Sequence, residues 1–522
     1  MRVSLKLLKK GFVYIAKCRL KLKLDFGIIL LVEKASYAIF LFFLIFLGGF
    51  LHMKAMKRIF AGALALTMAA AVTACGNSKG NSSSDAGGKD LTDDQKKQVE
   101  DISASLEDVD LANKTIKWMA HYDINPSKGQ VKSPALELFE TKYGGKVEYV
   151  QTTWDKRYDD LATAVMGKKS PDFFPASDMD TFPKGAIKGM FQPIDDYIDL
   201  DSDLWSSTKT ASDSFMFQGS HYIAVIDVSP NYVCTYNKTT ITENGLDDPA
   251  ELFADDNWNW DTFSDMCNEF VDQDNDKYAL DGYWYVKALS ETSGKPMIGL
   301  VDGKIVNNMS DPDIEKAQNF MYNLEKNNVV FDRSSNDWNT RGDGTTGNGL
   351  GTYQTLFIPV GLWALEAPLE TTAPFGDMEA GEIMFVPMPK NPDSDTYYMS
   401  SRVEGYNLCK GAPNPEGFAV YMNCLQACKD KASSITEDTL VNEYKWNQDM
   451  LDMRAKVYDM AAENPVFDLQ EGVSDDLSTT MMSVSQATMI TGGGATTWTA
   501  TRSEYEKAVD YIVEECNAKI EG

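Results

Sequence analysis

Histidine is scarce in this chain, three among 522 residues. Only His121 and His221 follow position 75, which excludes a multi-histidine metal site and an H-E-x-x-H helix. No phosphate-cradling loop of the Walker type occurs. The eight cysteines include no C-x-x-C pair, so zinc-ribbon and dithiol chemistry are not indicated. Positive charge is short as well: 49 Lys and Arg stand against 77 Asp and Glu, a formal charge of −28. Residues 1–74 hold 12 of the basic and two of the acidic residues, leaving 37 against 75 in the remainder. That balance repels nucleic acid and anionic polymers and favours neutral or cationic small molecules. Gly76-Asn77-Ser78-Lys79-Gly80 matches G-x-S-x-G in letters only; no strand precedes it, so the strained nucleophile elbow cannot form. Among so many carboxylates a glycosidase pair can be neither read nor excluded.

What is present begins with targeting. Met56 to Cys75 places Lys57 and Arg58 ahead of an apolar run too short to span as a mature helix, which reads as a signal peptide. It ends in Val72-Thr73-Ala74-Cys75, which resembles the bacterial lipobox and implies a lipidated Cys75. Asn77 to Lys89 is rich in Gly, Ser and Asn, a composition that cannot bury a core and so makes a flexible tether. Acyl chains worth about 0.8 kcal/mol per buried CH₂ would then hold the protein at the membrane. Upstream, residues 1–25 are basic and Ala38 to Leu51 is nearly all apolar. Since one export signal suffices, translation is expected to start at Met53 or Met56, with residues 1–52 a mis-assigned extension; a true N-terminal membrane helix is the alternative.

From Lys114 the pattern alternates. Lys114 to Ala120 has the β-branched and aromatic content of a buried strand. Ser133 to Tyr143 then carries Leu136, Phe139 and Tyr143 at helical spacing. Val147 to Gln151 reads as a second strand, Tyr158 to Met166 as a second helix, and Pro171-Asp172-Phe173-Phe174 enters a third strand. A βαβαβ opening predicts a mainly parallel sheet flanked by helices, with ligand loops after Ala120, Gln151 and Phe174. Cys424 and Cys428 lie one turn apart on an apolar helix, a core position.

The series Trp118, Leu138 to Gly144, Trp154-Asp155, Tyr158, Leu161-Ala162, Pro171-Asp172 and Gly189 to Ile198 resembles the first lobe of family 1 extracellular solute-binding proteins. Tyr236-Asn237-Lys238, Gly245-Leu246, Trp258-Asn259-Trp260, Gly361 to Ala364, Val386 to Pro389 and Asn414-Pro415-Glu416 continue that pattern in order, so the resemblance runs from about Lys114 to about Ile512. It implies an α/β, two-lobed periplasmic-binding-protein-like fold of type II, with ligand held between hinged lobes. It implies also a non-enzymatic, monomeric lipoprotein on the outer face of the membrane, which captures a carbohydrate by hinge closure and delivers it to an ABC permease. The expected divisions are 75–112 for lipidated cysteine and linker, 113–230 with 372–438 for the N-lobe, and 234–370 with 439–522 for the C-lobe. Crossings are expected near Ser229 to Thr235, near Leu369 to Phe375 and beyond the helix starting at Asn414. A glycan-capture lipoprotein without a transporter, or a glycoside-active enzyme, are the other readings.

A sugar offers apolar faces and a polar rim, so its site needs flat aromatics and a few polar groups. By position the resemblance assigns Trp363 and Trp498 to stacking, the latter because a glycine-rich run precedes it; core packing is the competing role. His121 and Tyr122 follow the first strand, Asp178 and Asp180 the third, and Asn231 lies at the first crossing. Trp284 is chosen from the aromatic cluster Tyr283-Trp284-Tyr285. Ala176 stands where maltodextrin binders carry a Trp, which argues against that ligand. Arg402 and Glu404 read as a solvated salt pair, and Trp258 and Trp260 as anchors of a helix start. No cofactor is required. Asp272, Asp274, Asp276, Tyr278 and Asp281 repeat hard oxygen ligands and raise a structural Ca²⁺ loop as a possibility, although Lys277 stands where an EF-hand turn wants Gly and Tyr283 where it wants Glu; an acidic solvated turn is the alternative.

Overall fold

The computed structural model describes residues 88–127, 129–177, 179–281, 283–331, 349–489 and 495–521. The export signal, Cys75 and most of the expected tether lie outside the described residues. The tether ends sooner than 112. Asp93–Ser103 forms helix α1, closed by a capping box in which the Thr92 side chain accepts from Gln95 and Gln95 reaches back to the Thr92 N–H. Its Val99 and Ile102, with Leu91 and Leu111, enter the first lobe's core. An averaged polar composition concealed four apolar anchors at usable spacing.

The first sheet opens with β1 (Thr115–Ala120), β2 (Lys146–Gln151) and β3 (Phe173–Pro175), with β1 parallel to both others. Between them run α2 (Pro134–Tyr143), started by Ser133 and Pro134 and stopped by the left-handed Gly144, and α3 (Arg157–Met166). The helical and strand periodicities of the sequence thus meet their elements within a residue or two. β4 (Ile223–Pro230) runs antiparallel to a long strand, Met399–Leu408, which is in turn antiparallel to β3. β4 is therefore parallel to β3 and extends past its carboxyl end.

Two residues, Asn231 and Tyr232, carry the chain into a second sheet of β5 (Val233–Asn237), β6 (Tyr278–Asp281), β7 (Val330–Phe331), β8 (Thr355–Val360) and β9 (Ile383–Val386), in the order β7-β6-β8-β5-β9. Val233 at the start of β5 pairs with Val360 at the end of β8. The crossing thus joins the carboxyl-end edge of the first sheet to the corresponding edge of the second, the edges at which parallel α/β sheets bind ligands. The first crossing lies where the sequence put it. The second does not: β9 still pairs with β5, so the chain stays in the second lobe past Phe375 and returns only at β10, the Met399–Leu408 strand. The assignment of 372–438 to the N-lobe therefore begins too early, because β9 reads in isolation as an apolar strand that fits either sheet. Helix α4 (Pro415–Lys431) packs on the first lobe with Cys424 and Cys428 buried and unbridged.

The 439–522 assignment needs the same kind of correction. Gln448–Glu463 packs on the second lobe's core, but the strand after it, β11 (Pro465–Val466), adds to the edge of the first sheet beside β10. From there the chain passes into two helices, Asp475–Met489 and Trp498–Ile520. A third apolar cluster contains Ala176, Met179 and Phe182 of the first lobe together with Met297, Ile298, Leu469 and Val473. The segment around Leu469 is therefore packed against both lobes. No helix among the described residues is long and apolar enough to cross a membrane.

Candidate functional site

The loops following β1, β2 and β3 meet in one group. Trp154 starts a short 3₁₀ turn after β2 and is 45 % exposed, an unusual state for an indole. The Arg157 guanidinium lies 3.5 Å from its ring centre, and the His121 ring stands edge-on at 4.9 Å. Tyr122, exposed, packs edge-on against His121 at 5.0 Å, while its carbonyl accepts from Trp118 Nε1 at 2.9 Å. Arg157 is fixed from behind by a buried ion pair with Asp180. A stacked, desolvated guanidinium adds about 2 kcal/mol of cation–π attraction, so the indole is held by charge as well as by packing. Burial first, and Arg157 second, hold the His121 imidazole below its ordinary titration range against the pull of Asp180, which keeps it neutral at neutral pH. His121 Nδ1, Asp180 Oδ1 and Thr181 Oγ1 are buried with no hydrogen-bond partner among the described residues. Buried polar atoms of this kind are rare in finished structures; of the three, His121 belongs to a ring in direct contact with the exposed indole and Asp180 to the pair that fixes Arg157.

The second group lies at the matching edge of the other sheet. Trp363, 43 % exposed, sits on the turn after β8. Trp284 meets it edge-on at 6.0 Å, stacks with Tyr232 at 6.2 Å and abuts Tyr283 at 4.4 Å. Between the groups runs a polar seam. Asn231 N donates to Ser400 O at 2.7 Å; Ser177 and Ser229 donate to Glu404 at 3.1 and 2.9 Å, and Arg402 pairs with the same carboxylate at 2.7 Å. Burial would raise the Glu404 carboxyl, but Arg402, Ser229 and Ser177 together hold it below the ordinary carboxylate range. The expected solvated salt pair is thus a half-buried network that stitches β10 to β3 and β4.

A family model described as bacterial extracellular solute-binding protein matches residues 135–425, more than half of the sequence. The chain belongs to the bacterial extracellular solute-binding proteins. No curated protein matches it in a sequence search. Among solved structures it resembles an ABC substrate-binding protein from Listeria monocytogenes in complex with cycloalternan, at 16 % identity and a TM-score of 0.54, covering 78 % of this chain and 98 % of that one. A cyclic α-maltosyl-1,6-maltose binding protein from Arthrobacter globiformis matches at 12 % identity and 0.55, covering 77 % and 99 %. The sugar-binding protein MalE from Xanthomonas citri matches at 14 % and 0.54, covering 77 % and 98 %. At such identities these likenesses establish the two-lobed α/β fold.

Within this solute-binding protein the candidate residues divide clearly. His121, Tyr122 and Asp180 join the first group, Trp284 and Trp363 the second, and Asn231 lies on the crossing between lobes. Asp178 lies outside the described residues. Trp498 is a correction: only 1 % exposed, it opens the last helix and packs in the third apolar cluster, so its faces are taken by protein. The glycine-rich run before it, which suggested an exposed loop, says nothing about the residue where the helix starts. Trp154, which carries part of the family resemblance, joins the first group although the resemblance assigns it no role; its position directly after a strand of the parallel sheet is the sequence signal for that place. Ala176 is fully buried, and the exposed indole of that lobe comes from the neighbouring loop instead.

The five proposed calcium ligands do not converge. Tyr278 and Asp281 fall on opposite faces of β6. Asp272 accepts from Asn275 at 2.6 Å and Asp276 from Gln354 at 3.1 Å, and no cluster of three or more metal-ligating side chains occurs among the described residues. Trp258 and Trp260 anchor a helix start as expected, with Asn259 capping Trp260–Phe270.

Proposed function

We propose that this chain is the substrate-binding lipoprotein of an ABC importer, anchored through Cys75, which captures a neutral carbohydrate between its two aromatic groups and passes it unaltered to the permease. The observation that carries this reading is the pairing of a half-exposed indole with unsatisfied polar groups at the ligand edge of one sheet, and a second half-exposed indole at the corresponding edge of the other. Flat apolar faces with a polar rim complement a pyranose, and the acidic surface disfavours anionic solutes. Of the structural relatives named above, one is described in complex with cycloalternan, one as a cyclic α-maltosyl-1,6-maltose binding protein and one as a sugar-binding protein. Ligand that touches both groups binds the closed arrangement better than the open one, which populates closure; the permease then reads closure. No cofactor enters this reading, and the protein acts as a monomer.

Titration calorimetry of the purified protein against neutral oligosaccharides, maltotetraose among them, tests it. Saturable binding with the sugar recovered intact by chromatography is the expected result. Sugar cleavage would replace the reading by a glycosidase. Absence of binding to every neutral oligosaccharide, with binding to a cationic solute, would replace the ligand class.

A further inference from the structure

Behind the second aromatic group lies a set of charges that capture of a neutral ligand does not require. Glu291 is 1 % exposed, and neither carboxyl oxygen has a hydrogen-bond partner among the described residues. It follows helix Tyr285–Ser290, one turn beyond Lys287. The groups facing it come from every neighbouring element: Lys287 from that helix, Asp468 and Glu471 from the segment after β11, and the Ser400 hydroxyl from β10, which closes no hydrogen bond with it. Tyr232 at the first crossing lies within the field of Lys287, Glu471 and Glu291. From helix Pro312–Lys326 the neighbouring side chain is the uncharged Gln318, which donates to Ser290 at 3.2 Å.

The segment Asp468–Gly472 holds both lobes. On the second-lobe side, Asp468 accepts from the Met297 N–H at 3.0 Å, and Leu469 N donates to Ile298 O at 2.9 Å. On the first-lobe side, Lys184 donates through its N–H to Gly472 O and through Nζ to Glu471 O, both at 3.0 Å. Gly472 is pressed so closely on the Met179 and Phe182 carbonyls that a Cβ would collide with them. Glu471 is therefore a bridge: its carbonyl is held by Lys184, and its carboxylate lies 3.9 Å from Lys287.

We propose that Glu291 is a positioning residue of the binding cycle: as a neutral acid it leaves Lys287 with Glu471 and the bridging segment held, and as a carboxylate it draws Lys287 back along the helix and loosens the bridge. Two carboxylates, Glu291 and Asp468, share this buried space with one ammonium. Burial raises both carboxyls, but Asp468 accepts from the backbone N–H groups of Met297 and Gln470, while Glu291 has no backbone donor and only Lys287 and the Ser400 hydroxyl to favour its charge, so the proton rests more readily on Glu291. Burial, reinforced by Asp468 and Glu471 and opposed by Lys287, pushes its carboxyl up to about 8. Mild alkalinity is then enough to ionise it, and the nearest counter-charge is Lys287 at the i−4 position.

The bridge can be followed without any ligand, so only the consequence for capture rests on the proposed function. Amide hydrogen exchange of the full chain is measured by mass spectrometry over peptides covering 467–474 at pH 6 and pH 9, corrected for intrinsic exchange. Wild type is expected to lose up to about a hundredfold in protection between the two, as one proton held up to about 8 in the closed state and at the ordinary glutamate value in the open one would give. Glu291→Gln should keep its protection at both pH values, and Glu291→Asp should restore the dependence. If Glu291→Gln fails to fold, Lys287→Met decides: removing the ammonium should unprotect 467–474 already at pH 6. A pH-independent wild type, or an unchanged loss of protection in Glu291→Gln, or full protection in Lys287→Met, overturns the proposal. Calorimetry at the same two pH values, with whichever neutral oligosaccharide binds in the titrations above, reads the coupling to capture; absence of binding by all of them bears on the carbohydrate reading and leaves the exchange result intact.

Discussion

The two aromatic groups reach a similar exposure by different means. In the first lobe a single indole is clamped on one side by a guanidinium and edged by a neutral imidazole, with the guanidinium itself fixed by Asp180. In the second, Trp284 is braced edge to face by Trp363 and Tyr283 and stacked on Tyr232, and the charges stand behind the four rings. Charge-based positioning is stiff but fails abruptly when one partner is lost, whereas ring packing degrades by degrees. The first lobe should therefore be the brittle half of the site and the second the tolerant one.

The strongest test of that contrast is Arg157→Met. Both side chains of the Arg157–Asp180 pair are buried, so removing one leaves an uncompensated charge, at a cost of about 3–5 kcal/mol in stability. Urea denaturation should show this loss, and a second substitution, Asp180→Leu, should recover most of it. If Arg157→Met costs no more than an exposed pair does, the first lobe is not held by charge. Trp498→Ala should be nearly as damaging, about 3–5 kcal/mol, because it empties a core site, yet the folded fraction should bind ligand as before. Trp363→Ala should behave in the opposite sense, with little change in the urea midpoint and binding weaker by about 1–3 kcal/mol in calorimetry. Trp154→Ala should fall in the same range, with some added loss of order in Arg157. Equal effects of Trp498→Ala and Trp363→Ala on affinity would return Trp498 to the site.

These contrasts also show where the sequence was sufficient. The βαβαβ opening follows from apolar periodicity alone, because β1 and α2 must each bury one face and their spacing leaves little freedom. Loops grouped after β1, β2 and β3 follow from that topology, and it puts His121, Tyr122 and Asp180 in one neighbourhood, as the structure does. The return of β9 to the second sheet could not be read in the same way, since pairing of β9 with β5 depends on partners about 150 residues apart along the chain. Helix α1 was missed because composition was averaged over a segment whose Thr92-x-x-Gln95 signal is local. Trp498 and Trp154 were exchanged for one reason: exposure belongs to a side chain's surroundings, and neither a glycine run nor a resemblance specifies those. Glu291 left no trace in the sequence at all, because its isolation arises from Asp468 and Ser400, which are far from it in the chain.

The finest distinction between the halves is the sign of their response to pH. His121 in the first lobe is held below its ordinary range, chiefly by burial. The unfolded chain therefore binds that proton more readily, and the contribution of His121 is fully present above about pH 6.5 and lost as pH falls through the folded value. Glu291 behind the second group is pushed up by burial, so the unfolded chain releases its proton first. Its contribution is complete below the ordinary glutamate value and is lost as pH rises through about 8. Acid should thus weaken the first lobe and mild alkali the second. Urea midpoints of wild type and His121→Asn, measured from pH 5 to 8, check the smaller of these effects: the difference between the two proteins should shrink or change sign toward pH 5. A constant offset across the range would mean that His121 does not titrate differently on folding, and the neutral imidazole edging Trp154 would be wrong.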